Sequence, residues 1–157
     1  MIKINLIAVG KVKEDYFKKG IDEYLKRLSR FAEVTLTEIK EENLLPGTTL
    51  DERQKIMALE GENILKKLKG KTVAMCIEGE KITSEGFAAL IKSAVDSGEE
   101  LTFVIGGSYG IDKRVKDVAA KKLSFSPMTF PHTMFRLMFC EQLYRAFSII
   151  NNSSYHN

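Results

Sequence analysis

Apolar positions follow two different spacings along the chain, and the switch between them predicts strands separated by helices. Residues 1–10 are a nearly continuous apolar run that ends in a glycine, which predicts a buried strand. Residues 15–30 carry apolar side chains three and four positions apart, which predicts an amphipathic helix. Residues 31–39 return to alternation and are rich in β-branched side chains, which predicts a strand with one wetter face.

The same pattern continues into the middle of the chain. Residues 40–50, which hold Pro46-Gly47, predict a loop, and residues 51–69 predict a long helix. Residues 72–77 predict a short buried strand that ends in Glu78-Gly79-Glu80. A further helix is expected from Thr83 or Ser84 to Gly98. The inward positions predicted for these two helices are Ile56, Leu59, Ile64, Leu65 and Leu68, and then Phe87, Leu90, Ile91, Ala94 and Val95.

Two strands with polar, tightly turned ends follow, at residues 101–105 and just before Ser124, with a short charged helix between them. Strands therefore alternate with helices almost throughout. This alternation predicts one α/β domain, with a largely parallel sheet covered by helices on both faces. Loops at the ends of neighbouring strands are where such proteins usually bind a ligand, so these two loops become the candidate site.

Residues 133–150 predict a helix that is apolar on nearly every side. One side can pack on the sheet, and we expect the other to pack on a second copy of the chain in a homodimer. Among its polar residues, Glu141 and Arg145 are four positions apart, in the order that favours an ion pair. Arg136 and Arg145 are costly to bury alone, so an RNA phosphate, a target base or Glu141 is the expected partner.

Composition narrows the class of protein. The chain has 157 residues, 44% of them hydrophobic and 29% charged, which is ordinary for one soluble globular domain. No apolar run is long enough to span a membrane, so a cytoplasmic protein is expected. The net charge of +3 does not by itself indicate nucleic-acid binding. Cys76 and Cys140 are expected to be reduced core thiols, and two histidines with two scattered cysteines disfavour a metal site.

The two candidate loops each have more than one interpretation. Gly106, Gly107 and Gly110 form either a backbone cradle for a ligand or a plain tight turn, and their spacing fits neither a dinucleotide nor a P-loop motif. Residues 123–132 form either a rigid apolar slot for a flat ligand such as adenine or a strand-to-helix connection. His132 is a candidate general base, phosphate contact or helix-start residue. The polar tail ending in Tyr155-His156-Asn157 is either a frayed terminus or a functional arm.

Several of these segments together resemble the SPOUT-class large-subunit ribosomal RNA methyltransferases of the RlmH family. The matching pieces are INLIAVGKVKEDYF, DEYLKRL, FVIGGSYG, LSFSPMTFPHTMFR, EQLYRAF and the closing YHN, and they extend over nearly the full length. The resemblance implies a fold that hydrophobic patterning cannot reveal, a SPOUT domain whose C-terminal part forms a deep trefoil knot. It also implies that the knotted loops bind S-adenosylmethionine at the interface of a homodimer.

Carried onto this chain, the resemblance implies a cofactor site and a catalytic group. The implied cofactor residues are Met75, Ile77, Gly106, Gly107, Gly110, Leu123, Ser124, Phe125, Ser126, Pro127, Met128, Thr129, Phe130 and Pro131. The implied catalytic residues are His132, Arg145, Tyr155 and His156. His132 or His156 would handle the proton, Arg145 would stabilise negative charge on the base or bind phosphate, and Tyr155 would stack on or position the base.

The implied reaction is methylation of N3 of a pseudouridine in large-subunit (23S) ribosomal RNA, with the tail of one protomer completing the site of the other. Because the basic excess is small and the sequence shows no appended RNA-binding module, the expected substrate is a large structured one, the assembled ribosome. Two alternatives stay open at this point. One is a related SPOUT methyltransferase that acts on transfer RNA or on another ribosomal RNA base. The other is a ribosome-binding protein that keeps the fold and has no catalytic activity.

Overall fold

The computed structural model describes residues 1–42 and 47–156, and it confirms the alternation of strands and helices. Residues 43–46, which include Pro46 of the predicted loop, and Asn157 at the end of the tail lie outside the described residues. The elements, in chain order, are β1 (Ile2–Val9), α1 (Asp15–Leu28), β2 (Ala32–Ile39), α2 (Leu50–Leu65), β3 (Lys71–Lys81), α3 (Ser84–Ser97), β4 (Leu101–Ile105), α4 (Lys113–Val118), β5 (Lys121–Ser124) and α5 (His132–Ile150).

The strands within the described residues form one five-stranded sheet in the order β2-β1-β4-β3-β5. Every neighbouring pair is parallel, so the largely parallel sheet is confirmed. Because parallel strands point the same way, all five carboxyl ends meet at one edge of the sheet. The prediction that β4 and β5 are neighbouring strands is wrong. The strand β3 lies between them and brings a third chain segment to the candidate site. The trefoil knot stays a prediction.

Helices cover both faces of this sheet. On one face, Ile21 of α1, Phe87 of α3 and Phe139 of α5 pack with strand residues such as Leu6 and Phe103. On the other face, Ile64 of α2 and Val115 of α4 pack with Ile7 and Val104. The predicted two-sided cover is therefore confirmed, and both faces of the central strands are buried.

The strand β3 is longer than its hydrophobic pattern predicted. It continues past Ile77 to Lys81, with a register shift between Met75 and Glu80, where pairing with β5 resumes. Gly79 does not end the strand but lies inside it, where the backbone of β5 approaches closely. A Cβ on Gly79 would lie 2.6 Å from the backbone nitrogen of Leu123. Glycine at this position allows the two backbones to approach closely, a non-local contact that the sequence does not display.

Two predicted helical stripes need correction. The helix α2 ends at Leu65, and Leu59 is 45% exposed, whereas Glu60 and Gly61 are buried. Gly61 lies against the side chain of Asp112 just before α4, so this close approach sets the contact face together with Ile64, which is buried as predicted. In α3, Val95 is 41% exposed.

The predicted ends of α3 are confirmed. The hydroxyl of Thr83 accepts a hydrogen bond of 3.0 Å from the backbone N–H of Gly86, which caps the start of the helix. Gly98 closes the helix with φ 69°, in the left-handed region that glycine adopts without strain.

A buried arginine one turn into α5 fixes the start of this helix. The guanidinium of Arg136 is 1% exposed and donates to Glu38 Oε2 at 2.6 Å and to the carbonyl of Gly10 at 2.9 Å. The expectation that an RNA phosphate or a base pairs with Arg136 is therefore wrong. Its partners lie at the ends of β1 and β2, so Arg136 anchors the start of α5 to the carboxyl edge of the sheet.

The rest of α5 is only partly covered in a single chain. Phe139, Leu143 and Phe147 are buried, whereas Leu137 and Met138 remain half-buried. This half-covered side leaves room for the predicted second copy. Among the described residues, no helix is both long enough and apolar enough to cross a membrane.

Candidate functional site

A cavity of about 640 Å³ opens at the carboxyl edge of the sheet. It lies where the ends of β3, β4 and β5 meet the start of α5. Its volume falls within the roughly 300–1,000 Å³ that is usual for small-molecule sites. The lining residues are Met75, Cys76, Ile77, Glu78, Ile105, Gly106, Gly107, Ser108, Gly110, Ile111, Leu123, Ser124, Phe125, Ser126, Met128, Thr129, Phe130, Pro131, His132 and Phe135.

The glycine turn after β4 closes on itself and exposes backbone to the cavity. The N–H of Gly110 donates to the carbonyl of Gly107 at 3.0 Å, and Gly110 has φ 87°. A Cβ on Gly106 would lie 2.6 Å from the carbonyl carbon of Gly110, so a side chain cannot fit without moving the backbone. Gly106, Gly107 and Gly110 therefore form a tight turn that also lines the cavity, so the two interpretations of this segment are compatible.

The loop after β5 is held by its own hydroxyl groups. Ser124 Oγ donates to the carbonyl of Ser126 at 3.0 Å, and Ser126 Oγ accepts from the N–H of Met128 at 3.0 Å. These bonds fix the loop and leave Phe125 and Phe130 to line the cavity with aromatic surface. Such a rigid apolar wall next to backbone amides suits a flat heteroaromatic ring.

The cavity brings together the predicted cofactor residues with one exception. Pro127 is exposed and does not line the wall, although Ser126 and Met128 on either side of it do. The wall also contains residues that were not predicted, namely Cys76, Glu78, Ile105, Ser108, Ile111 and Phe135. Each of these lies directly beside a predicted residue or at the next turn of α5, so adjacency in the chain was the available signal.

The two cysteines have different surroundings. Cys140 is a buried core thiol as predicted, and burial raises its pKa to about 12. The prediction of a core position is wrong for Cys76, which is half-buried and lines the cavity because it lies at the exposed end of the β3 pairing. Burial raises the pKa of Cys76 as well, so both groups are neutral thiols at neutral pH.

A carboxylate stands at the lip of the cavity. Glu78 lines the wall and forms a salt bridge with Lys116 of α4. The hydrogen bond from Lys116 lowers the pKa of Glu78, which keeps this group ionised at neutral pH.

The candidate catalytic residues separate into two groups. His132 lines the cavity at the first residue of α5, whereas Arg145 is 13 positions further along the same helix. At about 1.5 Å per residue this separation is roughly 20 Å. Tyr155 and His156 lie with Arg145 and not with His132.

The C-terminal tail is folded against α5. Residues Ser154–His156 form a 3-10 turn, so the interpretation of the tail as a frayed terminus is wrong. The hydroxyl of Tyr155 donates to Glu141 Oε1 at 3.1 Å and lies 3.1 Å from the hydroxyl of Tyr24, and its ring packs edge-on against Tyr144. Burial, followed by the Tyr24 contact, raises the pKa of Tyr155, so the phenol stays protonated.

Arg145 links the tail to the helix. Its guanidinium donates to Glu141 Oε1 from Nε at 3.0 Å and from Nη2 at 2.5 Å, which confirms the predicted ion pair. The same group lies 4.9 Å from the centre of the Tyr155 ring and donates to His156 Nδ1 at 3.1 Å. The hydrogen bond with Glu141 raises the pKa of Arg145, so this cation is permanent.

This chain is similar to known proteins over nearly its full length. The family model described as "Predicted SPOUT methyltransferase" matches residues 2–156. Proteins named "Ribosomal RNA large subunit methyltransferase H" are 45% identical in Acetivibrio thermocellus and 43% identical in Carboxydothermus hydrogenoformans, each over 99% of both chains. The solved SpoU methyltransferase AviRb from Streptomyces viridochromogenes is 8% identical, with a TM-score of 0.46 over 96% of this chain and 61% of that one. The sequence relatives, and not this distant structure, therefore carry the assignment of a family.

Proposed function

The chain belongs to the SPOUT methyltransferase family, and from that membership we propose that it transfers a methyl group from S-adenosylmethionine to large-subunit ribosomal RNA. The observation that carries the proposal is the cavity at the carboxyl edge of the sheet, built from the glycine turn and the loop after β5. Those two loops also hold the most specific part of the resemblance. The finer proposal is that the acceptor is N3 of a pseudouridine in 23S ribosomal RNA on the assembled ribosome, which would place the protein in the cytoplasm.

The cavity suits S-adenosylmethionine in size and chemistry. Phe125 and Phe130 supply apolar surface for the adenine ring, and Gly106 and Gly107 of the glycine turn line the same cavity. The ionised Glu78 at the lip suits a ligand with positive groups. When bound, this cofactor supplies a methyl group already activated on a sulfonium, so the protein has to align the acceptor and exclude water.

The acceptor side of the reaction needs charge and proton handling. An imide nitrogen must lose its proton to become nucleophilic, and the negative charge left on the base needs a partner. His132 lies in the cavity wall and is available for the proton. Arg145 is a permanent cation, held in one orientation by Glu141 and by the ring of Tyr155, and would stabilise the charge.

The separation of the two groups supports a site shared between two copies of the chain. Arg145 and the tail lie roughly 20 Å along α5 from His132, which is too far to act on the same nitrogen. A homodimer with its seam on the half-covered side of α5 would bring the tail of one protomer to the cavity of its partner. The ring and the hydroxyl of Tyr155 both have partners within the chain. We therefore assign Tyr155 the role of positioning Arg145, and not that of stacking on the base.

Calorimetry tests the cofactor proposal. The protein is expected to bind S-adenosylmethionine, and Ile77→Arg should weaken this binding at least tenfold. A new cation in the cavity would oppose the cationic ligand, and about 1.4 kcal/mol of repulsion is a tenfold loss of affinity. Ile77 is 53% exposed, so the fold should tolerate the change.

The matched control is Val118→Arg, which places the same charge at another exposed apolar position, 59% exposed and outside the cavity wall. It should bind the cofactor as the unchanged protein does. Equal affinities for all three proteins would contradict the assignment of the cavity as the cofactor site.

A further inference from the structure

We propose that Glu41 is a positioning residue for His132, and that it holds the imidazole with Nε2 toward its carboxylate and Nδ1 open to accept the proton of the acceptor nitrogen. This inference rests on the proposed methyl transfer. Glu41 follows the carboxyl end of β2, so it lies at the same edge of the sheet as the cavity without being part of the wall.

The two carboxylate oxygens of Glu41 face two cavity residues. Oε1 accepts a hydrogen bond of 3.0 Å from the hydroxyl of Ser108 in the glycine turn. Oε2 lies 3.7 Å from Nε2 of His132, which is an ion-pair distance and slightly longer than a hydrogen bond. The Glu41 and His132 side chains are 33% and 25% exposed, so the pair is largely sheltered from water. One carboxylate therefore joins the glycine turn to the first residue of α5.

The surrounding backbone leaves room for this contact and for little else. A Cβ on Gly10, at the end of β1, would lie 2.9 Å from Glu41 Oε2 and 3.5 Å from His132 Nε2. Gly10 has φ 90°, and its carbonyl accepts the hydrogen bond from the buried Arg136, one helical turn after His132. The strand end and the start of α5 are thus fixed together around the Glu41–His132 pair.

The other histidine, His156, has both ring nitrogens engaged. A guanidinium can only donate, so Nδ1 of His156 accepts from Arg145, and Nε2 carries the hydrogen that is donated to Glu85 Oε1 at 2.9 Å. To accept a proton, His156 would have to lose the contact with Arg145. His132 differs, because none of the residues that the structure describes forms a hydrogen bond with its Nδ1. Of the two histidines, His132 is the one that lines the cavity, and its Nδ1 is not engaged by any described residue.

The assigned step moves one proton. The N–H bond of the acceptor base breaks, its electron pair stays on that nitrogen, and a new N–H bond forms at Nδ1 of His132. The imidazolium that results has its positive charge beside the carboxylate of Glu41, which stabilises it. The proton then passes from Nδ1 to solvent, and the neutral ring is restored for the next cycle.

Nuclear magnetic resonance of the imidazole nitrogens tests the positioning without requiring any reaction. The chain has two histidines, so the spectrum holds two sets of ring signals. At a pH where both rings are neutral, His132 is expected to carry its proton at Nε2. Glu41→Ala should shift His132 toward a mixture of tautomers and leave His156 unchanged. Glu85→Ala is the matched control, since it removes the carboxylate beside the other histidine and should leave the His132 tautomer unchanged. Arg145 still donates to Nδ1 of His156, so the His156 proton should stay at Nε2 in both variants. An unchanged His132 tautomer in Glu41→Ala would overturn the inference.

Kinetics under saturating cofactor provide the second readout. Glu41→Gln should lower kcat about tenfold, a fraction of the roughly 10²–10⁴-fold that a complete acid–base residue supplies. Its effect should largely vanish in a His132→Gln background, because residues that act through each other are not additive. Glu42→Gln, a neighbouring charge change, should leave the rate unaltered. Additive losses from Glu41→Gln and His132→Gln would contradict the inference, whereas an inactive unchanged protein would contradict the proposed methyl transfer itself.

Discussion

Removal of residues 155–157 is expected to lower the rate of methyl transfer by about a hundredfold or more and to leave the affinity for S-adenosylmethionine unchanged. A misplacement of about 1 Å at a reacting centre can cost a hundredfold in rate. The tail controls the position of Arg145, since Tyr155 lies against the guanidinium and His156 accepts a hydrogen bond from it. Without the tail, Arg145 keeps Glu141 and loses both other contacts.

The cofactor affinity should survive because neither Tyr155 nor His156 lines the cavity of its own chain, and in the proposed dimer the tail serves the acceptor side of the partner's site. The two quantities can be measured on one preparation, with calorimetry for the cofactor and incorporation of labelled methyl groups for the transfer. Ser154→Ala is the matched control, since this exposed residue belongs to the same 3-10 turn. A truncated protein that transfers methyl groups at the normal rate would show that the tail has no part in the site.

Mixing two inactive variants is expected to restore about a quarter of the normal activity. One variant carries Ile77→Arg and the other lacks residues 155–157. If subunits exchange freely, about half of the dimers contain one of each, and a two-fold dimer has two equivalent sites. In a mixed dimer, the tail of the Ile77→Arg protomer would complete the intact cavity of the truncated protomer, and the second site would be inactive.

The mixing experiment requires a cofactor concentration near the dissociation constant of the unchanged protein, where a tenfold loss of affinity leaves only about one Ile77→Arg cavity in eleven filled. Each variant alone, after the same exchange treatment, serves as the control. If tail and cavity of the same chain formed each site, the mixture would show only the residual activity of its components.

The sequence predicts those parts of the fold that depend on local spacing. The strand β1, the helix α1 and the capped ends of α3 follow from periodicity and from Thr83 and Gly98, because their causes lie within a few residues. The extension of β3 past Gly79 depends on pairing with β5, more than 40 residues away, and the hydrophobic pattern carries no sign of it. At Gly79, pairing with a distant strand therefore outweighs the local tendency of glycine to end a strand.

The same distinction applies to the candidate site. The glycine turn and the loop after β5 were predicted because glycines, prolines and hydroxyl residues cluster in the chain. The partner of Arg136 was not predicted, because Glu38 is 98 residues away in the chain and nothing in the sequence distinguishes it from other charged strand residues. The separation of His132 from Arg145 follows from helix geometry. The position of Tyr155 and His156 beside Arg145 does not, because it depends on how the tail folds back onto α5.

The most direct test of the central claim is a methylation assay that compares assembled ribosomes, free large-subunit RNA and bulk transfer RNA, with mapping of the modified base. We expect methyl groups to be incorporated into the large-subunit ribosomal RNA of assembled ribosomes, at N3 of one pseudouridine. Incorporation into transfer RNA instead, or no incorporation into any of the three while S-adenosylmethionine still binds, would contradict it.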